Sequence, residues 1–170
     1  MSWQFDPNAP QIPAKIAENA AASLDIPAEW LLWIFDHESN YNWQSYVNQG
    51  GFYTAGLIQF TSSTMAGMQI DVNRLLSDPD YQEAEIIRYY QNWFSAIKKP
   101  ENAYEFVLMN FYPAAVNKPL SWEFPPATVQ RNPGLFVFGK TKADYFKYLE
   151  QYFPKTEVFS LDYGKKKPLA

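Results

Sequence analysis

The chain has 170 residues, 47% of them hydrophobic and 19% charged, with a formal net charge of −4. That length holds one ordinary domain with a real hydrophobic core, and that composition excludes disorder as the default state. The acidic balance leaves no basic footprint for nucleic acid, and zero cysteines exclude disulfides and thiol catalysis.

An N-terminal arm is expected over residues 1–12. It begins Met1-Ser-Trp-Gln-Phe-Asp-Pro-Asn8, without a basic region leading into an apolar stretch, so no signal peptide is expected. Ile12, Ile16, Ala20 and Leu24 recur every four residues and predict a helix, with Pro13 tolerated in its first turn. A second helix is predicted from near Pro27, with Glu29 in the first turn, where the helix dipole favours an acid. Trp30-Leu-Leu-Trp-Ile-Phe35 is apolar nearly all round, which predicts a central, buried helix. From Asn40 to Ala55 runs a polar, aromatic-spotted loop containing Gly50-Gly51, of a length that often serves function.

Beyond Gly56-Leu-Ile-Gln-Phe60, Thr61 is predicted to cap a short helix. Asp78-Pro79 opens the longest periodic segment, with Ala84, Ile87, Tyr90, Phe94 and Ile97 on one face. Another helix should hold Tyr104, Val107, Leu108 and Phe111 and end at Pro113. Five prolines between Pro113 and Pro133 predict an irregular wrapping segment. Thr141-Lys-Ala-Asp144 is a capping-box pattern for a last helix carrying Tyr145, Tyr148, Leu149 and Tyr152. A loose tail is expected over 154–170. No apolar run reaches membrane-spanning length, so no membrane span is expected. With no repeat and no β meander in the pattern, the expectation is a mostly α, single-domain protein over 13–153.

Three motif readings fail on their own chemistry. His37-Glu38 would begin a zinc-protease helix only with a histidine at position 41, which is Tyr41, and His37 is the sole histidine. No metal and no cofactor is therefore expected. A serine-histidine-acid triad would lack the Gly-x-Ser-x-Gly elbow. Gly134-Leu-Phe-Val-Phe-Gly-Lys-Thr141 matches the letters of a phosphate-binding loop, but Asn132-Pro133 precedes it where a buried strand should stand. Thr141 is better read as a helix cap.

Glu38 is the candidate for chemistry. Trp30 and Ile34 lie eight and four residues earlier, so all three share one helix face. A carboxyl at the end of so apolar a stripe is expected to be partly desolvated, which raises its pKa and suits a general acid. The alternative is a solvated glutamate at a helix end, although the dipole disfavours an acid there. Position alone leaves both readings open.

Glu38-Ser39, then Gly56-Leu-Ile-Gln-Phe60, then Tyr112 after a helix resembles the lytic transglycosylase family, with its lysozyme-like fold. The resemblance spans roughly residues 14–152. It implies the helical fold of goose-type lysozymes and soluble lytic transglycosylases, with a proline-rich irregular segment. It implies Glu38 as catalytic acid at the end of a buried helix. It further implies that Ser39, Gly56, Ile58, Gln59, Phe60 and Tyr112 contact the glycan or the acid. Ile58 stands where the family usually has methionine. Asn110-Phe-Tyr-Pro-Ala-Ala115 replaces the family's usual Ala-Tyr-Asn run, whose tyrosine contacts the glutamate. Each borrowed residue also has a plain reading: Gly56 as a tight turn, Leu57 and Ile58 as core, Gln59 and Tyr112 as interior hydrogen-bonding groups.

Tyr112-Pro-Ala-Ala115 followed by Asn132-Pro-Gly134 is similar to lysozyme-like domains of phage tail and virion proteins. Some of those continue into an acidic calcium loop; here Leu135-Phe-Val-Phe-Gly-Lys-Thr141 follows, and no calcium is expected. The implied partners are peptidoglycan glycan strands and phage tail or baseplate proteins, with delivery by a virion or a specialised export machine. An inverting hydrolase would need a second carboxylate. None lies between Glu38 and Asp71, and Asp71 or Glu123 would have to come from afar. The first expectation is therefore cleavage by one carboxyl used twice, closing a 1,6-anhydro ring on the muramic acid. Hydrolysis by a muramidase is the second, and a non-catalytic glycan-binding or structural tail component the third.

Overall fold

The computed structural model describes residues 11–152. Among them are eight α-helices and one small antiparallel sheet, so the mostly α expectation holds. The contacts divide the chain into two compact units between Ala96 and Ile97. Most of the expected N-terminal arm and all of the tail lie outside the described residues. Gln11 and Ile12 already belong to the first helix.

In the first unit, α1 (Gln11–Leu24) packs against α2 (Ala28–Ser39) and α5 (Pro79–Ala96). It buries Ile16, Ala20 and Leu24 as the four-residue spacing predicts, with Ala17 and Ala21 beside them. Ile12 departs from the expectation and is exposed, because it stands in the first turn ahead of the packed stretch. α2 follows Pro27 and buries Trp30, Leu31, Leu32, Ile34 and Phe35, each worth about 1.5–3 kcal/mol for the larger side chains. It is the hydrophobic axis of this unit.

The segment read as a loop contains strand structure. β1 (Tyr46–Gln49) pairs with β2 (Phe52–Ala55), and β2 pairs with β3 (Phe60–Thr61). Gly50 and Gly51 make the two-residue hairpin turn with φ of 64° and 96°, the backbone that such turns require. No alternation betrays these strands, because β1 is exposed throughout and β2 is buried only at Ala55. Thr61 caps α3 (Ser62–Met68) as predicted, its side chain accepting from Thr64 N. A further short helix, α4 (Val72–Leu75), is capped by Asp71, whose carboxylate accepts from Asn73 N and Arg74 N. α5 buries Gln82, Glu85, Ile86 and Tyr90, while Ala84 of the predicted apolar face is exposed. The buried row 82–86–90 thus shares Tyr90 with the face read from apolar residues alone and departs from it in the preceding turns.

The second unit holds α6 (Ala103–Phe111), α7 (Pro126–Arg131) and α8 (Lys142–Tyr152). α6 ends before Pro113 as predicted. The proline-rich stretch is not wholly irregular. Pro125-Pro126 opens α7, proline being acceptable in a first turn. Phe111, Phe124, Phe136 and Tyr145 form a mutually packed ring cluster with centroids 4.9–6.2 Å apart. These four aromatic residues build core, whereas Phe138 and Tyr152 of the same unit are exposed. Thr141 and Asp144 close the capping box reciprocally: Asp144 N donates to Thr141 Oγ1, and Thr141 N to Asp144 Oδ2, both at 3.1 Å. No helix among the described residues is long and apolar enough to cross a membrane.

Candidate active site

Glu38 stands in the last turn of α2. Its side chain is 27% exposed, so the carboxyl is neither sealed in the core nor out in bulk water. His37 Nδ1 lies 3.4 Å from Glu38 Oε1. The next residue, Ser39, is buried, and its hydroxyl lies within donating distance of Phe35 O (2.9 Å) and Leu57 O (3.0 Å). The first is the local contact of a helical serine. The second crosses eighteen residues of sequence and joins the end of α2 to the Gly56 turn.

That turn is tightly made. Gly56 has φ +79° and its N donates to Ser45 O at 2.9 Å. Its carbonyl accepts from Gln59 N at 3.2 Å and from Gln59 Nε2 at 2.8 Å. Gln59 Oε1 accepts from Thr54 Oγ1 at 2.6 Å. The Gln59 carboxamide therefore braces its own turn, with one Nε2 hydrogen left over for a ligand. Ile58 and Phe60 are 3% and 2% exposed, so their side chains belong to the core and only their backbone could meet a glycan. Among the described residues, six non-glycine positions have positive φ; three of them, Asn40, Tyr41 and Gln59, flank this site. Backbone held in that region costs free energy and concentrates at functional segments.

α5 supplies residues that sequence reading missed. Tyr89 packs its ring edge-on to Phe60 at 5.5 Å and to Tyr90 at 5.0 Å. Burial pushes the Tyr89 hydroxyl up in pKa, a hydrogen bond with Trp93 opposes this, and the charge of Glu38 adds to the rise. Burial, then Tyr89, then Glu38 push Tyr90 well above the usual tyrosine value. Both hydroxyls thus stay protonated at any working pH, and both feel the Glu38 carboxylate. Tyr90 was read as core and Tyr89 was not singled out. A tyrosine in a periodic helix gives no sign of what lies opposite it.

Tyr112 belongs to the second unit. It follows α6 and rests on Phe124 (5.6 Å), Trp122 (6.0 Å) and Phe111 (6.3 Å). The two distant carboxylates considered as bases are engaged where they stand. Asp71 caps α4, and Glu123 Oε2 pairs with Lys140 Nζ at 2.8 Å in the second unit. Among the described residues, no group of three or more histidine, cysteine, aspartate or glutamate side chains could hold a metal ion. In the stretch that matched the phosphate-loop letters, a short 3-10 turn covers Pro133–Leu135, and Thr141 serves as the cap of α8. No protein-family model matches this chain, and no curated protein or solved structure matches it either.

Proposed function

We propose that this chain cleaves the β-1,4 bond between N-acetylmuramic acid and N-acetylglucosamine in peptidoglycan, as a lytic transglycosylase of lysozyme-like helical fold. The observation that carries the reading is the hydrogen bond from Ser39 Oγ to Leu57 O. It ties a half-exposed acid at the end of a buried helix to a strained, glycine-dependent turn. The Glu-Ser and Gly-Leu-Ile-Gln motifs, eighteen residues apart, thereby become one assembly.

Protonated Glu38 gives its proton to the glycosidic oxygen as the bond from muramic-acid C1 breaks, and N-acetylglucosamine leaves as the alcohol. The resulting carboxylate takes the proton of the muramic-acid 6-hydroxyl as that oxygen bonds to C1. The 1,6-anhydro ring closes, and Glu38 regains its proton. One carboxyl is acid and then base, so no second carboxylate is needed. Tyr89 and Tyr90 on α5 lie near enough to Glu38 for its charge to add to the rise that burial gives their hydroxyls. The leftover Gln59 donor is the group to orient an N-acetyl carbonyl. Delivery in a phage particle belongs to the same proposal and rests on the likeness around Tyr112-Pro-Ala-Ala115.

The test is digestion of purified sacculi by the wild type and by Glu38→Gln. Soluble fragments bearing anhydromuramic ends are expected from the wild type, with turnover lost in the variant at unchanged melting temperature. Reducing muramic ends would mean hydrolysis instead, and full activity in the variant removes Glu38 from the mechanism.

A further inference from the structure

α5 buries a glutamine completely, in a row otherwise formed by Ile86 and Tyr90. A carboxamide taken out of water must have its hydrogen bonds replaced, and that of Gln82 makes three. Oε1 accepts from Leu57 N at 2.8 Å. Nε2 uses both hydrogens, donating to Trp43 O and to Leu75 O, each at 2.8 Å. The three partners come from three separate stretches: the Gly56 turn, the chain leaving α2, and the end of α4. The amide orientation is unambiguous, because a flipped carboxamide would set its oxygen against two carbonyls and its NH2 against an N–H.

The same amide explains Gly56. A Cβ at that position would stand 3.1 Å from Gln82 Oε1 and 3.3 Å from its Cδ, so any other residue would force the carboxamide bonded to Leu57 to give by a few tenths of an ångström. Both backbone groups of Leu57 are consequently held, its N–H by Gln82 and its C=O by Ser39, the residue after Glu38. We infer that Gln82 is a positioning residue that sets the Gly56–Gln59 turn against Glu38; as a catalytic claim this rests on the glycan-cleaving role proposed for Glu38. Gln82 itself touches no substrate. It acts through Leu57, and misplacing a catalytic assembly by about 1 Å costs on the order of 100-fold in rate.

Gln82→Met keeps length and apolar volume while removing all three bonds. With far-UV circular dichroism unchanged, turnover of sacculi is expected to fall by about 10- to 100-fold, while retention of chitohexaose on immobilised protein changes by less than about 3-fold. Gln82→Glu offers a signature that a merely structural role would not give. Protonated, its carboxyl donates one hydrogen bond to Trp43 O or Leu75 O; ionised, it sets an anion against both. The ratio of its turnover to wild type should fall as pH rises, with folding checked at each pH. Amide hydrogen exchange reads the clamp independently of activity, so it serves even if Gln82→Met does not fold. Leu57 N–H should be as protected as the α2 core amides in the wild type, and less protected in Gln82→Glu than in the wild type at the same high pH, where the anion is repelled by Trp43 O and Leu75 O. A folded Gln82→Met with wild-type turnover overturns the positioning role, and so does rapid exchange of Leu57 N–H in the wild type. A wild type that releases nothing from sacculi, with Leu57 protected, overturns the glycan-cleaving reading and leaves the clamp standing.

Discussion

Gly56→Ala is the sharpest perturbation that the site offers, because its cost can be assembled from two separate terms. The first is backbone: at φ +79° a residue with a Cβ pays about 1–2 kcal/mol. The second is packing. The new Cβ would meet Gln82 Oε1 at 3.1 Å, and that oxygen cannot retreat without loosening bonds to Leu57, Trp43 and Leu75. Each such bond is worth about 1 kcal/mol net, so partial loss of them adds about 1–2 kcal/mol. The expected total is about 2–4 kcal/mol. Gly50→Ala is the matched control. Its φ is +64°, and nothing lies within 4 Å of a Cβ there, so only the backbone term of about 1–2 kcal/mol applies. Urea denaturation of both variants, followed by tryptophan fluorescence, measures the difference. Equal destabilisation would refute the claim that Gln82 is what forbids a side chain at position 56.

Two further expectations concern the second unit. Asp144→Asn should cost α8 about 1 kcal/mol at neutral pH by weakening its reciprocal cap. The Thr141 hydroxyl, first, then the Thr141 N–H and Lys147, hold the Asp144 carboxyl below its ordinary 3.8. Its contribution is therefore complete above about pH 4 and fades as pH drops through the depressed folded value. Thermal melts of the two proteins should converge in strong acid; a constant gap would refute the cap. Lys142 is 1% exposed and pairs with Glu105 Oε1, its Nζ also donating to Lys118 O at 2.8 Å. Lys142→Met should destabilise by about 3–5 kcal/mol by stranding the Glu105 charge, and adding Glu105→Leu should restore much of it. Urea titration of the single and double variants checks this.

What could be read from the sequence was whatever declared itself through apolar spacing or a short motif. α2 is legible because six consecutive apolar residues leave it no polar face, and α8 because Thr141 and Asp144 signal its start. Glu38, Ser39, Gly56 and Gln59 are legible as motif letters, and the structure brings all four around the Ser39–Leu57 link. The hairpin is not legible, since four-residue strands with exposed side chains carry no period-two signal. Ile58 and Phe60 share a motif with Gln59, yet their side chains point into the core, and motif membership does not encode direction. Gln82 is the hardest to see. Spacing rules assume that polar residues face water, and a glutamine whose partners are all backbone leaves no complementary residue elsewhere in the sequence to reveal it.

The hairpin tip at Gly50-Gly51 and Gly56, six and five residues further on, live under different constraints. At Gly50 and Gly51 an added side chain would meet open space, whereas at Gly56 it meets a pinned amide. A side chain or label at the apex would therefore meet no neighbour, and its only cost is the backbone strain of about 1–2 kcal/mol at a positive φ. The link from Gly56 to α2 leaves no such room, which makes the apex the natural place to attach a reporter dye.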